Sequence, residues 1–546
     1  MRFRTCLKAA ILALGCSVCS LPSVAWAIDG PSCTRLLPSG GSQGATIEVT
    51  ATGTFPQWPL QLWSDDESLV WKCLEASGKL QVTLGPQTRP GLHWMRMTSP
   101  QGATTLRPFV VGSHPEVMET EPNDLYSKPQ SVASLPVTLN GVLEKNGDVD
   151  GYQVELKAGQ KLVAQVDAHR SLNSPLDAGL QIVSTRGTIL AQNLDYAGLD
   201  PFLVFEVPRD GLYTVRVFGF PETPDSSIQF AGKDTFVYRL TLACDPYLMA
   251  SLPMAVSASG DTPLSGLGVG ISKLTSTQCT VTRWPSKNDQ AWVQLPGASG
   301  SMMVPVVPYA VVSESSDTLA SVHTPPLCIT GSLLQPKEID RYRVQVEKDS
   351  VWDIHLESRS LGFFTDLSLE IQDRDGKTIA QADDVKDQVD PRLSWKCPAT
   401  GEYALCVRDT FGATSDFPYY RLHMEASLPR YALTLAQDLV QGKIGEPFDV
   451  EVSIDRQQSF SDELTVTATG LPLEIEVTPV ASEGKGDSSK KVKLKIKSTV
   501  PYQGPLVITG APKAQPDSTK RATIANGTHD YLWLSIPAAD APGKNP

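Results

Sequence analysis

The run Lys491-Val-Lys-Leu-Lys-Ile-Lys497 places four lysines on one face of an extended chain and Val492, Leu494 and Ile496 on the other. Period-two alternation of this kind marks a half-buried strand. The lysines read as a solvated face that guards a strand against edge pairing, in preference to a basic binding strip. Thr46-Ile-Glu-Val-Thr-Ala51, Phe448-Asp-Val-Glu-Val-Ser-Ile454 and Leu464-Thr-Val-Thr-Ala-Thr469 alternate in the same way. Long helical patterns are absent, and 42 Pro with 41 Gly suit a turn-rich chain. The expected class is all-β.

The chain also repeats itself after about 190 residues, a domain-sized period rather than that of a solenoid. Asp177-Ala-Gly-Leu-Gln-Ile-Val-Ser-Thr-Arg-Gly187 through Ala191 to Asp195 is matched by Asp366-Leu-Ser-Leu-Glu-Ile-Gln-Asp-Arg-Asp-Gly376 through Ala380 to Asp384. Asp200-Pro201 matches Asp390-Pro391, and Asp210-Gly-Leu-Tyr213 matches Thr400-Gly-Glu-Tyr403. Upstream, Asp150-Gly-Tyr152 aligns with Asp340-Arg-Tyr342; downstream, Tyr238-Arg-Leu240 aligns with Tyr420-Arg-Leu422. Gly187 and Gly376 fall between strand-like runs, as hairpin turns do. The expected architecture is tandem β-sandwiches: 28–113 Ig-like, 114–245 the first repeated unit, 246–325 Ig-like, 326–428 the second repeated unit, and 429–546 Ig-like with a loose tail.

Chemistry gathers in Glu119-Thr-Glu121-Pro122-Asn123-Asp124 and Asn146-Gly-Asp148-Val-Asp150-Gly151. Five carboxylates and two side-chain amides stand there with almost no cation, and such crowding repels itself unless a metal ion intervenes. Ca²⁺ fits best, since it takes six to eight hard oxygens in irregular geometry. In extended chain Glu119, Glu121 and Asn123 share a face, and so do Asp148 and Asp150. The predicted metal ligands are Glu119, Glu121, Asn123, Asp124, Asp148 and Asp150. An EF-hand does not fit, because position twelve of a loop that starts at Asn146 is Lys157 and no helices flank the loop.

The repeated unit resembles the bacterial pre-peptidase C-terminal (PPC) domain, which is related to collagen-binding modules of bacterial collagenases. The resemblance rests on Glu119-x-Glu121-Pro-Asn123-Asp124, Asn140-Gly141, Gly147-Asp148-x-Asp150-x-Tyr152, Ser174-Pro-Leu-Asp177, Gly187-x-x-x-Ala191 and Gly211-x-Tyr213-x-Val-x-Val217. It covers 115–245 well and 326–428 more weakly. It implies a jelly-roll-like sandwich with structural Ca²⁺ between the N-terminal linker and the loop before an early strand. The whole arrangement also looks like exported multi-sandwich proteins of planctomycete-type bacteria. The second copy departs from the pattern, with Val322-His-Thr-Pro-Pro-Leu327 before Cys328 and only Glu338-Ile-Asp340 of the second segment. Calcium is therefore not expected at the equivalent place, and Asp383, Asp384 and Asp387 read as a solvated acidic loop.

Residues 1–27 read as a secretory signal: Arg2, Arg4 and Lys8, an apolar Ala9 to Val18, then Ala25-Trp26-Ala27. Removing them takes the net charge from −13 to −16, since the leader holds those three basic residues and no acidic ones. No transmembrane segment is expected after removal. An acidic surface argues against nucleic acid as a partner. Seven cysteines follow the leader, none in CxxC, and Cys33 with Cys73 and Cys244 with Cys279 could close disulfides in an exported chain. The seven histidines form no HExxH, and neither a G-x-S-x-G elbow nor a P-loop is present. Trp58, Trp63, Trp71 and Trp94 read as core. The expectation is a secreted or periplasmic, non-catalytic binding or adhesion protein, its partner an extracellular protein or polysaccharide. The alternative is an accessory or targeting subunit of an exported peptidase or glycoside hydrolase.

Overall fold

A computed structural model describes residues 30–538, apart from 197, 222–228, 261, 275, 285–286, 316–319, 384–388, 415–416, 429 and 526–528. The leader expected over 1–27, Asp384 and Asp387 lie outside these residues. Among the described residues strands make up 56% and helix 3%. No helix among the described residues is long and apolar enough to cross a membrane.

The repeat is reproduced strand for strand. In the first copy one sheet runs Glu116–Met118, Val137–Val142, Val237–Cys244, Lys161–Asp167, Phe202–Glu206. The facing sheet runs Gln130–Ser131, Val149–Leu156, Gly211–Phe220, Asp177–Ser184, Ile189–Asn193. Alternate residues of both sheets, among them Leu139, Leu240, Val154 and Leu180, interleave in one core. The second copy has the same order: Ala310–Ser313, Leu327–Ser332, Tyr419–Ala426, Val351–Glu357, Arg392–Lys396 against Val322–His323, Asp340–Val346, Gly401–Asp409, Leu367–Gln372, Thr378–Ala382. The strand Ala310–Ser313 lies ahead of the boundary expected at 326. It is recruited because it pairs in parallel with Leu327–Ser332, as Glu116–Met118 does with Val137–Val142.

The repeated residues have structural duties. Gly187 and Gly376 take φ of 79° and 78° in hairpin turns, where a side chain would be strained. Tyr213 donates its hydroxyl to Arg209 O and Tyr403 to Ala399 O, each at 2.8 Å, pinning the same corner. Asp200 accepts the backbone N–H groups of Ala168, His169 and Arg170; Asp390 accepts those of Ser358, Arg359 and Ser360. Gly141 and Gly331 lie under buried tyrosines: a Cβ on Gly331 would stand 2.4 Å from the Tyr420 ring. Gly331→Ala is therefore expected to lower stability by about 1–3 kcal/mol in chemical denaturation. An unchanged midpoint would mean that the two tyrosines yield freely.

Several expectations change in three dimensions. All seven cysteines are free thiols. Cys33 and Cys73 sit on the two outer strands of one sheet, with two strands between them. That puts them about 14 Å apart by strand spacing, beyond disulfide reach. Cys244 packs against the first repeated core and Cys279 belongs to the next one. Lys491–Ser498 alternates as expected, lysines exposed and Val492, Leu494 and Ile496 buried. It is not an edge, because Pro447–Gln457 and Ile475–Thr478 pair on either side. Its lysines instead balance acidic cross-strand neighbours, as in Lys491 Nζ to Glu451 Oε1 at 2.8 Å.

The first and last sandwiches meet. Trp63 lies 5.4 Å from Tyr531 and 5.8 Å from Trp533, and Trp94 lies 4.9 Å from His529, centroid to centroid. Trp71 packs edge-on against Phe109, and Trp58 donates to Leu74 O. Of the four tryptophans, two thus build the local core and two reach the far end of the chain.

Candidate metal centre

The strand Glu116–Met118 ends at Glu119, and the chain turns irregularly through Asp124 before Gln130–Ser131. The facing segment enters the strand Val149–Leu156, which directs Asp150 inward while Asp148 holds the preceding turn. Two sets of carboxylate oxygens converge. Glu119, Glu121 and Asp150 place theirs within 4.8 Å of one another, and so do Glu121, Asp124 and Asp148. Glu121 belongs to both. The extended-chain argument did not foresee Asp124 on this side; the irregular turn after Pro122 brings it in.

Hydrogen bonds hold Glu119, Glu121, Asp148 and Asp150 in place, while an oxygen each of Asp124, Asp148 and Asp150 stays free. Both Glu119 oxygens accept the Val142 N–H at 3.0 Å. Asp148 Oδ2 accepts the Glu144 N–H at 2.6 Å, and Glu121 Oε2 the Asn123 N–H at 2.9 Å. Asp150 Oδ2 accepts the Tyr238 hydroxyl at 2.5 Å, and that hydroxyl lies 2.6 Å from the hydroxyl of Tyr152. Asp124 Oδ1, Asp148 Oδ1 and Asp150 Oδ1 are buried without a hydrogen-bond partner. Asn123 is buried beside them with both amide atoms unpartnered. Burial first, and then the neighbouring carboxylates, push Glu119 and Asp150 well above the usual carboxylate range; burial and the contact with Asp124 do the same for Asp148. Buried polar atoms ordinarily find partners. Hard oxygens that converge with none are a donor set suited to a hard cation, and the number of carboxylates leaves room for one ion or two.

Sequence reading missed the tyrosine pair as part of the site, although the repeat carried its signal. The second copy has the same relay, Tyr342 to Tyr420 at 2.6 Å and Tyr420 to Asp340 at 2.5 Å. Tyr238→Phe would strand the inner oxygen of Asp150 and is expected to cost about 1–3 kcal/mol. Thermal unfolding of the variant beside the parent measures it.

The second copy retains more of the acid set than its sequence suggested. Glu314 accepts the Ser332 N–H at 2.7 Å, the counterpart of Glu119 on Val142. Burial and the nearby Asp340 charge push Glu314 up to about 7. No acidic triad is gathered there among the described residues. Asp383 accepts the Thr410 hydroxyl at 3.5 Å.

Comparisons with known proteins set this geometry in context. No family model matches the chain. A probable subtilase-type serine protease of Deinococcus radiodurans is 30% identical over 175 residues, taking in 32% of this chain and 21% of the protease. The matched region thus spans about a fifth of that relative's length. Among solved structures, the periplasmic g-type lysozyme inhibitor PliG of Aeromonas hydrophila is 15% identical, covering 24% of this chain and 96% of its own, with a TM-score of 0.16. Fibronectin(III)-like modules of CbhA from Clostridium thermocellum are 9% identical over 37% of this chain and 87% of theirs, TM-score 0.14. Superpositions this weak carry no argument about function.

Proposed function

We propose that the chain is an exported, non-catalytic string of β-sandwiches whose first repeated unit is of the pre-peptidase C-terminal type and holds structural Ca²⁺. The ligands are Glu119, Glu121, Asn123, Asp124, Asp148 and Asp150. The observation that carries this reading is the convergence of two carboxylate triads on Glu121, with buried oxygens that lack any partner. An ion bound only by the ordered linker stabilises that order by mass action. It would stiffen Glu119 to Asp124 and so fix the first sandwich against the second. The task of the assembly is then recognition or adhesion outside the cytoplasm, towards a protein or polysaccharide.

The similarity to a subtilase-type protease favours a second reading, an accessory or targeting subunit of an exported hydrolase. Affinity purification from the native host separates the two. A stoichiometric peptidase or glycosidase in the eluate supports the accessory role, whereas a purified chain that binds a glycan or matrix protein alone supports adhesion. Calorimetric titration of the full chain with Ca²⁺, beside an Asp148→Ala, Asp150→Ala variant, tests the metal centre itself.

A further inference from the structure

The outer face of the second repeated sandwich carries a row of side chains that the first lacks. Strand pairing sets Cys328 opposite His423, His423 opposite His355, and His355 opposite Arg392. The first copy has Thr138, Thr241, Gln165 and Phe202 in these registers, with the two threonine hydroxyls 3.0 Å apart. Two residues beyond His423 on the same face stands Glu425. A nitrogen of His355, a nitrogen of His423 and an oxygen of Glu425 lie within 4.8 Å of one another.

From this constellation we infer that His355, His423 and Glu425 form a binding site for a divalent transition ion of the Zn²⁺ class. Two imidazoles with one carboxylate suit such an ion and do not suit Ca²⁺, which prefers oxygen throughout. Independent contacts set the stage. Glu357 Oε2 lies 3.1 Å from His423 Nε2 and accepts Arg421 Nε at 2.6 Å. A carboxylate on one imidazole nitrogen holds the proton there and leaves the other nitrogen free to ligate, the usual support of a metal-bound histidine. That other nitrogen, His423 Nδ1, lies 3.0 Å from the Tyr309 hydroxyl, itself 2.7 Å from Glu425 Oε1; the hydroxyl has one proton to share between the two, and a bound ion would take its place between them. His423 Nδ1 and Glu425 Oε1 therefore converge on one point. His355 Nδ1 is buried without a hydrogen-bond partner. The two rings stack at 4.6 Å and 11°. Ligation draws their nitrogens in and tips the rings together, to reach metal–nitrogen distances of about 2.0–2.1 Å. Cys328 Sγ lies 3.9 Å from His423 Nε2, the side turned to Glu357, and stays outside the ligand set. Tyr309 reaches the cluster from the segment preceding this sandwich, whose Ala255 and Val307 pack on Cys328.

The test titrates the full chain, saturated with Ca²⁺, with Zn²⁺ by calorimetry and with Co²⁺ by visible absorption. The parent is expected to bind one equivalent with nitrogen-type cobalt bands. His355→Gln installs the residue that the sister sandwich carries in the same register, so folding should survive. It and Glu425→Gln should each weaken Zn²⁺ binding at least tenfold, with the circular dichroism unchanged. The Asp148→Ala, Asp150→Ala variant should titrate with Zn²⁺ as the parent does, which separates this site from the calcium reading. Equal Zn²⁺ affinity in the parent and in folded His355→Gln, or no binding by the folded parent, overturns the assignment.

Discussion

Calcium at a hundredfold excess over its dissociation constant is expected to stabilise the first repeated sandwich by about 2.7 kcal/mol, the mass-action value for a ligand of the folded state alone. The physical source is the conflict in the apo site. Glu119, Asp148 and Asp150 are buried with one another, and burial is the largest influence on each. Their held oxygens fix them in place, so the free oxygens cannot relax apart. Scanning calorimetry of the full chain should show one transition moving up with Ca²⁺ and returning on chelation. In the Asp148→Ala, Asp150→Ala variant the shift should vanish, and the variant without calcium should itself be less stable than the calcium-free parent, because the buried Tyr238 hydroxyl and the Glu144 N–H lose their acceptors. A Ca²⁺ response of equal size in the variant would remove these residues from the ligand set.

Arg96→Ala is expected to destabilise the contact between the first and last sandwiches by about 3–5 kcal/mol, the usual penalty for deleting one partner of a buried ion pair. Arg96 is fully buried, pairs with Asp438, and lies 5.5 Å from the centre of the Trp533 ring. Asp438 is tied to the same strand through its carbonyl, which accepts the Trp533 N–H at 2.8 Å. Removing the guanidinium takes the direct partner from a largely buried carboxylate and leaves it only the more distant Arg107 and His529. Small-angle scattering should show the ends of the chain parting, and denaturation should show the last sandwich unfolding separately. The Arg96→Leu, Asp438→Leu pair should recover much of the loss, because burying two apolar groups avoids the stranded charge. A double variant no better than Arg96→Ala would show that the ion pair itself, and not relief from a lone charge, holds the ends.

Where a cluster of donors is local in the sequence, it was readable. Glu119 to Asp124 and Asp148 to Asp150 are short segments, so their excess of oxygen donors stands out before any fold is known. The acid counterpart in the second copy was hidden by a change of linker length. Glu119 lies 23 residues before the backbone group it accepts, whereas Glu314 lies 18 residues before its own. Matching the copies from Cys328 backwards therefore met Val322 to Leu327 and passed the acid by. The histidine row was harder still. His355 and His423 are isolated along the chain and become neighbours only because Val351–Glu357 pairs with Tyr419–Ala426. The disulfide expectation failed for the same kind of reason: Cys33 and Cys73 are close in sequence yet lie on opposite margins of one sheet.

Alternation of apolar and polar residues determined the strands, because a pleated chain buries every second side chain whatever its neighbours are. The repeat determined that two sandwiches share one plan. Tertiary structure alone decided which strands lie side by side. It thereby set which acids meet at Glu121, which imidazoles stack, and that the first sandwich touches the last. Those outcomes depend on register and on the irregular turn after Pro122, and both come from packing between distant segments rather than from any local preference of the chain.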